Sequence, residues 1–347
     1  MPRQAHNFRK NGTEWPYFTI LQEINSLSQY NSDVARDYSL EECLNDQLWV
    51  DFQTSSPQET PFSSLEFLNL EGNLHKKYVL KRNSEILAAL IIPINSENRP
   101  KPGSFGSMHQ GILFHPRIDS NAGKKAETFQ ILLNLAIEKK LSFEIALHPT
   151  ITDLRPVNWV NTDQPMDKTI GIQVRFTGTI SLCEFSNSED YFQSLPKTRR
   201  DEIEKNPLII EQSNDSTIFA EIYKASFAER RIEFSNEEWN VLTSIFDFGT
   251  KCAGGKLLLA FHETLSNPIA GIITVEDKDT IYYWFAATRP GYRRVGANSK
   301  LLFKSIGNAI GIHKTRLDTC GMNGKEIGFY KASFGATPVV TYGLNYG

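Results

Sequence analysis

A strand, a glycine turn, a helix and a second strand follow one another without a break between Tyr282 and Gly335, and that order leaves few folds open. The run Tyr282-Tyr283-Trp284-Phe285-Ala286-Ala287 is apolar and aromatic, as a buried strand requires. Arg289-Pro290-Gly291-Tyr292 ends it, because proline removes a donor and glycine admits a turn. After Arg293-Arg294-Val295-Gly296-Ala297-Asn298, the residues Leu301, Leu302, Ile306, Ala309 and Ile310 recur at helical spacing. Thr315 to Cys320 forms the second strand, before Gly321. Such an order places a helix N-terminus, with its unpaired N–H groups and positive dipole end, beside a glycine and two arginines. Gly296 lets a diphosphate approach the backbone, and Arg293 and Arg294 supply charge.

The chain is 347 residues long, enough for two domains. With 40% hydrophobic and 22% charged residues it has the composition of a globular protein. It holds no apolar run of the ~18 residues that a membrane span needs. Met1 to Lys10 lacks the apolar core of a secretory signal, so the expected location is the cytoplasm. Cys43, Cys183, Cys252 and Cys320 are scattered, and the seven histidines have no ligand spacing, so neither a metal nor a disulfide framework is expected. A net charge of −3 gives no basic excess for a nucleic-acid partner; no DNA is expected.

Along the chain, Leu40 to Val50 has a helical period, and Thr54 to Pro61 reads as a loop. Tyr78 to Arg82 and Ile86 to Ile94 form a hairpin, and Asn95 to Gly106 a proline- and glycine-rich loop. A short strand, Gly111 to Phe114, an amphipathic helix, Lys124 to Lys140, and a strand, Phe143 to Leu147, follow. Thr152 to Asp167 reads as a loop broken by Arg155-Pro156, and Thr169 to Leu182 as a strand leading into the second half. Helices are expected at Ser188 to Phe192, Lys197 to Lys205, Ser216 to Glu229 and Asn236 to Phe248. A hairpin joins Leu257 to Phe261 with Ile269 to Glu276. Hairpin, strand, helix, strand thus occurs over Tyr78–Leu147 and again over Lys256–Cys320, at nearly the same offset. The expectation is two similar α/β domains, 1–178 and 179–347. Asp119 to Lys124, before the first helix, lacks the arginine–glycine spacing, so the phosphate-bearing donor is placed on the second domain.

Arg293-x-x-Gly296 followed by a helix resembles the turn with which GNAT acyltransferases hold the pyrophosphate of acyl-CoA. Asn298 stands where that pattern has glycine or alanine. The Pro-Gly-Tyr-Arg-Arg lead-in and Phe329-Tyr330-Lys331-Ala332-Ser333-Phe334-Gly335 are similar to the double-GNAT branch. That branch holds the Fem-like aminoacyltransferases and the acyltransferases of surface-polysaccharide clusters. The resemblance implies an α/β chain of two tandem GNAT-like domains, each a mixed, mostly antiparallel sheet flanked by helices. It implies an acyl-CoA donor, held by Arg293, Arg294, Gly296, Ala297 and Asn298.

It also gives candidate roles. Tyr330 matches the tyrosine that protonates the departing thiolate, or else is a core tyrosine bonded to backbone. Lys331 matches the Fem-like lysine that faces the reacting carbonyl, or is a surface lysine. Asp318, at the end of the strand after the cofactor helix, is a candidate general base or a turn cap. Lys197-Thr198-Arg199-Arg200 resembles a basic element of the same branch. Arg199 and Arg200 then hold an acceptor's phosphates, or pair with Asp201, Glu202 and Glu204 on a solvated face. Asp153, Arg155 and Trp159, in a polar loop after a strand, are candidates for acceptor binding.

The function so implied is acyl transfer from acyl-CoA, acetyl-CoA foremost, to an amine or hydroxyl. Its acceptor is an amino sugar of a nucleotide- or lipid-linked surface-polysaccharide precursor. The alternative within the class is a Fem-like aminoacyltransferase that takes aminoacyl-tRNA and modifies a peptidoglycan precursor. The alternative outside it, raised by Asn298, is a GNAT-fold protein that binds without catalysis.

Overall fold

The computed structural model describes residues 37–95, 97–100, 106–162, 164–205 and 207–347. Met1–Lys10 and much of the expected loop at Asn95–Gly106 lie outside them. The chain forms two sheets flanked by helices. A four-stranded sheet runs in the order β1 (Tyr38–Glu42), β2 (His75–Arg82), β3 (Glu85–Pro93), β4 (Ile112–Phe114), antiparallel throughout.

The second sheet has eight strands. Their chain order is β5 (Phe143–Ala146), β6 (Gly171–Ser181), β7 (Leu208–Ser213), β8 (Lys256–His262), β9 (Ala270–Glu276), β10 (Thr280–Thr288), β11 (Arg316–Asp318) and β12 (Thr337–Tyr346). Their spatial order is β5-β12-β6-β11-β10-β9-β8-β7, and only β10 and β11 run parallel within it.

The strands exchange between the halves. β6, which leads out of the first half, pairs with β11 through Thr179–Ser181, while the C-terminal β12 crosses back to pair with β5. β6 and β12 run alongside one another from Gly171 to Thr179. The position between residues 178 and 179 therefore falls inside β6.

The helices are α1 (Asp46–Ser55), α2 (Ala122–Glu138), α3 (Arg155–Thr162), α4 (Ser188–Ser194), α5 (Lys197–Glu204), α6 (Ser216–Ala228), α7 (Asn236–Lys251), α8 (Ala297–Gly311) and α9 (Lys325–Ala332). Alternation along β8 and β9 sends Leu258, Ala260 and Ile272 to α8, and Leu257, Leu259, Ile273 and Val275 to α6 and α7 on the other face. The latter core also takes in the first half. Phe62 meets Tyr282 and Trp284 at ring separations of 5.3 and 5.2 Å, and Phe67 meets Phe248 at 5.4 Å. Such aromatic contacts bury large areas and fix how the halves meet.

Three expectations are corrected. Leu40 lies on β1, not in a helix; helix begins only at Asp46, where Asn45 accepts from the Leu48 N–H. Arg155–Thr162 is helical although Pro156 was expected to break it, because a first-turn N–H needs no partner. β7 and β12 were not foreseen. No helix among the described residues is long and apolar enough to cross a membrane.

Candidate active site

β10 pairs with β11 only over Thr280–Tyr282, and its register with β9 shifts between Tyr283 and Phe285. The pairing with β11 stops at Asp318, where β11 ends, while β10 runs on to Thr288 along one wall of a crevice. A 3₁₀ turn, Arg293–Val295, then leads to Gly296 at φ 75°, a left-handed conformation that favours glycine. Gly296 is the N-cap of α8, and no side chain caps that end. Asn298 presents a buried Oδ1 that has no hydrogen-bond partner.

The crevice has a volume of about 450 Å³. Its wall joins the end of β10 (Ala286–Thr288) and the start of α8 (Gly296, Asn298, Ser299) to Arg293, Arg199, Glu202 and Tyr330. The 15 residues of α8 aim their dipole at it. Arg293 lines it and pairs with Glu229; Arg294 is exposed and is not among the lining residues. Ala297 is buried beneath, in the core under α8.

A polar network crosses the crevice floor. The Ser299 hydroxyl lies 3.3 Å from the Tyr330 hydroxyl and donates to Glu202 at 3.0 Å. Arg199 pairs with Glu202, donates to the Ser333 hydroxyl at 2.7 Å, and lies 5.1 Å over the Tyr330 ring. Burial pushes the Tyr330 phenol up to about 12, so it stays protonated at neutral pH.

Arg200 turns away and donates to the Gln193 side chain at 2.9 Å. Arg199 thus stands at the crevice and Arg200 does not. Neither stands with Asp153, Arg155 and Trp159. Those three form their own cluster on the first half. Arg155 holds Asp153 through two bonds of 2.9 and 2.7 Å, and its guanidinium lies 5.7 Å from the Trp159 ring. Asp153 lines a separate hollow of about 300 Å³ with Asp119, Lys125 and Thr150.

Tyr330 and Lys331 point apart, as neighbours on a helix do. Tyr330 faces the crevice. The Lys331 ammonium is buried and donates to the carbonyls of Thr319 and, at 2.6 Å, Gly321, so it closes the turn after β11. Burial lowers its pKa. Asp318, also buried, accepts from the Thr177 hydroxyl, from the Cys320 N–H at 2.7 Å, and from His109 Nε2 at 3.2 Å. Burial works to raise its carboxyl, but these donors more than offset that and leave it below the ordinary value. Ser299 and His109 escaped the sequence reading, which named Glu202 only as a partner for Arg199 and Arg200. Ser299 alone had a signal, as the third residue of the helix after Gly296.

Residues 200–331 match the family model described as an acetyltransferase (GNAT) domain. Among solved structures, the chain is similar to that of FemX, with a TM-score of 0.61 at 11% identity, over 89% of this chain and 97% of that one. It is similar to a tandem GNAT protein from the clavulanic acid biosynthesis pathway, with a TM-score of 0.54 at 10% identity, over 89% and 98%. The C-terminal DUF2156 domain of a putative lysylphosphatidylglycerol synthetase from Agrobacterium fabrum gives 0.51 at 9%, over 87% and 92%. No curated protein matches the sequence. Identities this low speak for the fold. The chain has a tandem GNAT-like fold. Its second half carries the matched acetyltransferase domain.

Proposed function

We propose that the chain transfers an acyl group from acyl-CoA to an amine or hydroxyl, with 179–347 as the donor-binding half and 1–178 as the acceptor side or scaffold. The observation that carries this reading is the crevice between the end of β10, α5 and α9, which reaches the uncapped start of α8. A diphosphate there meets N–H groups with no internal partner, with Arg293 at the wall and the exposed Arg294 next to it in sequence. The helix start also fits the amide-bearing arm of acyl-CoA: Asn298 keeps an unpartnered buried oxygen there, which can accept from an amide N–H or hydroxyl but not from a diphosphate.

Tyr330 is the acid. Its phenol is protonated at working pH and opens onto the crevice, where it supplies the proton that the departing sulfur takes up. Asp318, buried at the end of β11 and outside the lining of the crevice, is held as a carboxylate and is assigned as the base that receives the acceptor's proton. Lys331 fixes the turn that carries Asp318, through the carbonyls of Thr319 and Gly321. The acceptor proposed is an amino sugar in nucleotide- or lipid-linked form. The motif resemblance around Pro290–Arg294 and Phe329–Gly335 supports it, with Asp153, Arg155 and Trp159 as the first-half residues that bind it.

A thermal-shift titration with CoA, acetyl-CoA and longer acyl-CoAs tests the donor. A ligand at ~100 times its Kd stabilises by about 2.7 kcal/mol, which is readily seen. A saturable shift supports acyl-CoA. No shift with any of them overturns the reading and points to aminoacyl-tRNA or to a protein that binds without catalysis.

A further inference from the structure

The first half reaches into the second at Asp318, which Thr177 and His109 both contact. His109 and Asp318 are 209 residues apart in sequence, yet Nε2 of one lies 3.2 Å from Oδ2 of the other. Their side chains are only 4% and 6% exposed, so the contact is out of water. The segment carrying His109 is built for the position. Trp284 on β10 donates its indole N–H to the Gly106 carbonyl at 2.7 Å. Gly106 is left-handed at φ +68°, and a side chain there would press on Phe285 and Trp284. At the other end, the Gly111 N–H donates to Ala146 beside β5 at 2.8 Å.

Two non-glycine residues flank the pair in left-handed backbone, His109 at φ 56° from one half and Cys320 at φ 56° from the other. Non-glycine residues take that conformation at a cost, and it persists where the surroundings enforce it. Here both instances serve one carboxylate. The Cys320 N–H turns back onto Oδ1, and the His109 ring closes onto Oδ2.

We propose that His109 is a positioning residue for Asp318, a ring lent by the first half that completes the base of the second. The proposal rests on the reading of Asp318 as the base. The carboxylate is bonded from both halves: Oδ1 by the Thr177 hydroxyl at the end of the first and the Cys320 amide of the second, and Oδ2 by the His109 ring of the first. The neighbours that bear on the carboxylate are Thr177, Cys320, Arg316 on its own strand, Tyr282 on β10 with Asp277 behind its hydroxyl, Lys331 on α9, and His148 beyond the His109 ring. Among these, His109 is a cause that holds the carboxyl down against burial.

The test uses the full chain labelled with aspartate carrying ¹³C in its carboxyl group. The Asp318 resonance is assigned by its loss in Asp318→Asn and followed from acid to neutral pH. In the wild type it should titrate below ordinary aspartate. In His109→Ala its midpoint should rise by about one unit or more, since burial is then opposed by fewer donors. In His109→Gln, whose amide keeps a donor, it should rise less, and added imidazole should lower it again in His109→Ala. An unchanged midpoint in both variants overturns the proposal and makes His109 a packing group between the halves. Should His109→Ala not fold, His109→Leu, which fills the space without a donor, decides: an unchanged midpoint there overturns the proposal. CoA binding by thermal shift is measured alongside. A wild type that ignores CoA sinks the donor reading, an Asp318→Asn variant that turns over acyl-CoA like the wild type sinks the reading of Asp318 as the base, and an unmoved carboxyl midpoint sinks only the role of His109.

Discussion

The Tyr330 hydroxyl stands 3.3 Å from the Ser299 hydroxyl, and through it is linked to Glu202. This joins the proposed acid on α9 to the third residue of the helix whose start is read as holding the donor. Tyr330→Phe keeps the ring over which Arg199 lies and removes only the proton. Turnover should fall by about 100-fold, the lower range of general acid catalysis, while CoA affinity stays within about twofold. Because the phenol titrates near 12, no loss of activity should appear below strongly alkaline pH from this group. Steady-state kinetics beside isothermal titration with CoA decide it: an unaltered turnover removes Tyr330 from the mechanism.

Gly296 and Arg293 bear on the donor alone. A side chain at Gly296 meets the left-handed penalty of about 1–2 kcal/mol and intrudes on the helix start. Gly296→Val should therefore weaken CoA by more than tenfold. Arg293 must leave Glu229 to reach a phosphate. Arg293→Ala should weaken CoA by about tenfold, and Glu229→Gln should tighten it, because the competing carboxylate is gone. Calorimetry at two salt concentrations checks both. An Arg293→Ala variant that binds CoA like the wild type would falsify the phosphate cradle.

Lys331 is held by carbonyls, so its loss should be felt first in stability. Lys331→Met leaves the Thr319 and Gly321 oxygens without that donor, at a cost of about 1–3 kcal/mol. The urea midpoint should fall by the corresponding amount. Had the ammonium served only the reacting carbonyl, turnover would drop with the urea midpoint unmoved. The pair of measurements separates the two roles.

The sequence disclosed what is local. Tyr282, Gly296 and the apolar face of α8 fall within one short stretch, and the strand–turn–helix order there needs no distant partner to be legible. β12 was not foreseen because its pairing with β5 and β6 is decided by residues some two hundred positions away. Pro156 looked like a breaker because its tolerated position depends on where the helix starts, which a single sequence leaves open. Glu202 read as a member of a charged helix face, yet tertiary packing brings it to Ser299. His109 follows a loop and precedes a short strand, and nothing in its neighbourhood announces Asp318. Motifs show where backbone geometry is local; partners drawn from the other half are set by how the halves dock.

His148, beside the His109 ring at a centroid separation of 6.0 Å, should give the protein a pH dependence of its own. Burial, and then the neighbouring His109 and Arg316, depress its pKa from 6.5 to about 3. The hydrogen bonds agree, since the Thr150 N–H donates to Nδ1 at 3.3 Å and so meets an unprotonated nitrogen. In the unfolded chain the imidazole takes up its proton near its ordinary value. Stability is therefore undiminished above about pH 6.5 and declines as pH falls toward about 3, where the folded form also binds the proton. Asp318 adds to the loss in the same direction, but only as pH drops through the carboxylate range, because its folded value lies below its unfolded one. Between about pH 5 and 6.5 the slope assigned to His148 stands clear of that carboxylate. His148→Gln keeps an acceptor for the Thr150 amide and has no proton to take up. Urea denaturation across this range should show the wild type losing stability by up to about 1.4 kcal/mol per pH unit, and His148→Gln losing correspondingly less. Equal slopes in the two proteins would mean that His148 binds its proton as readily folded as unfolded.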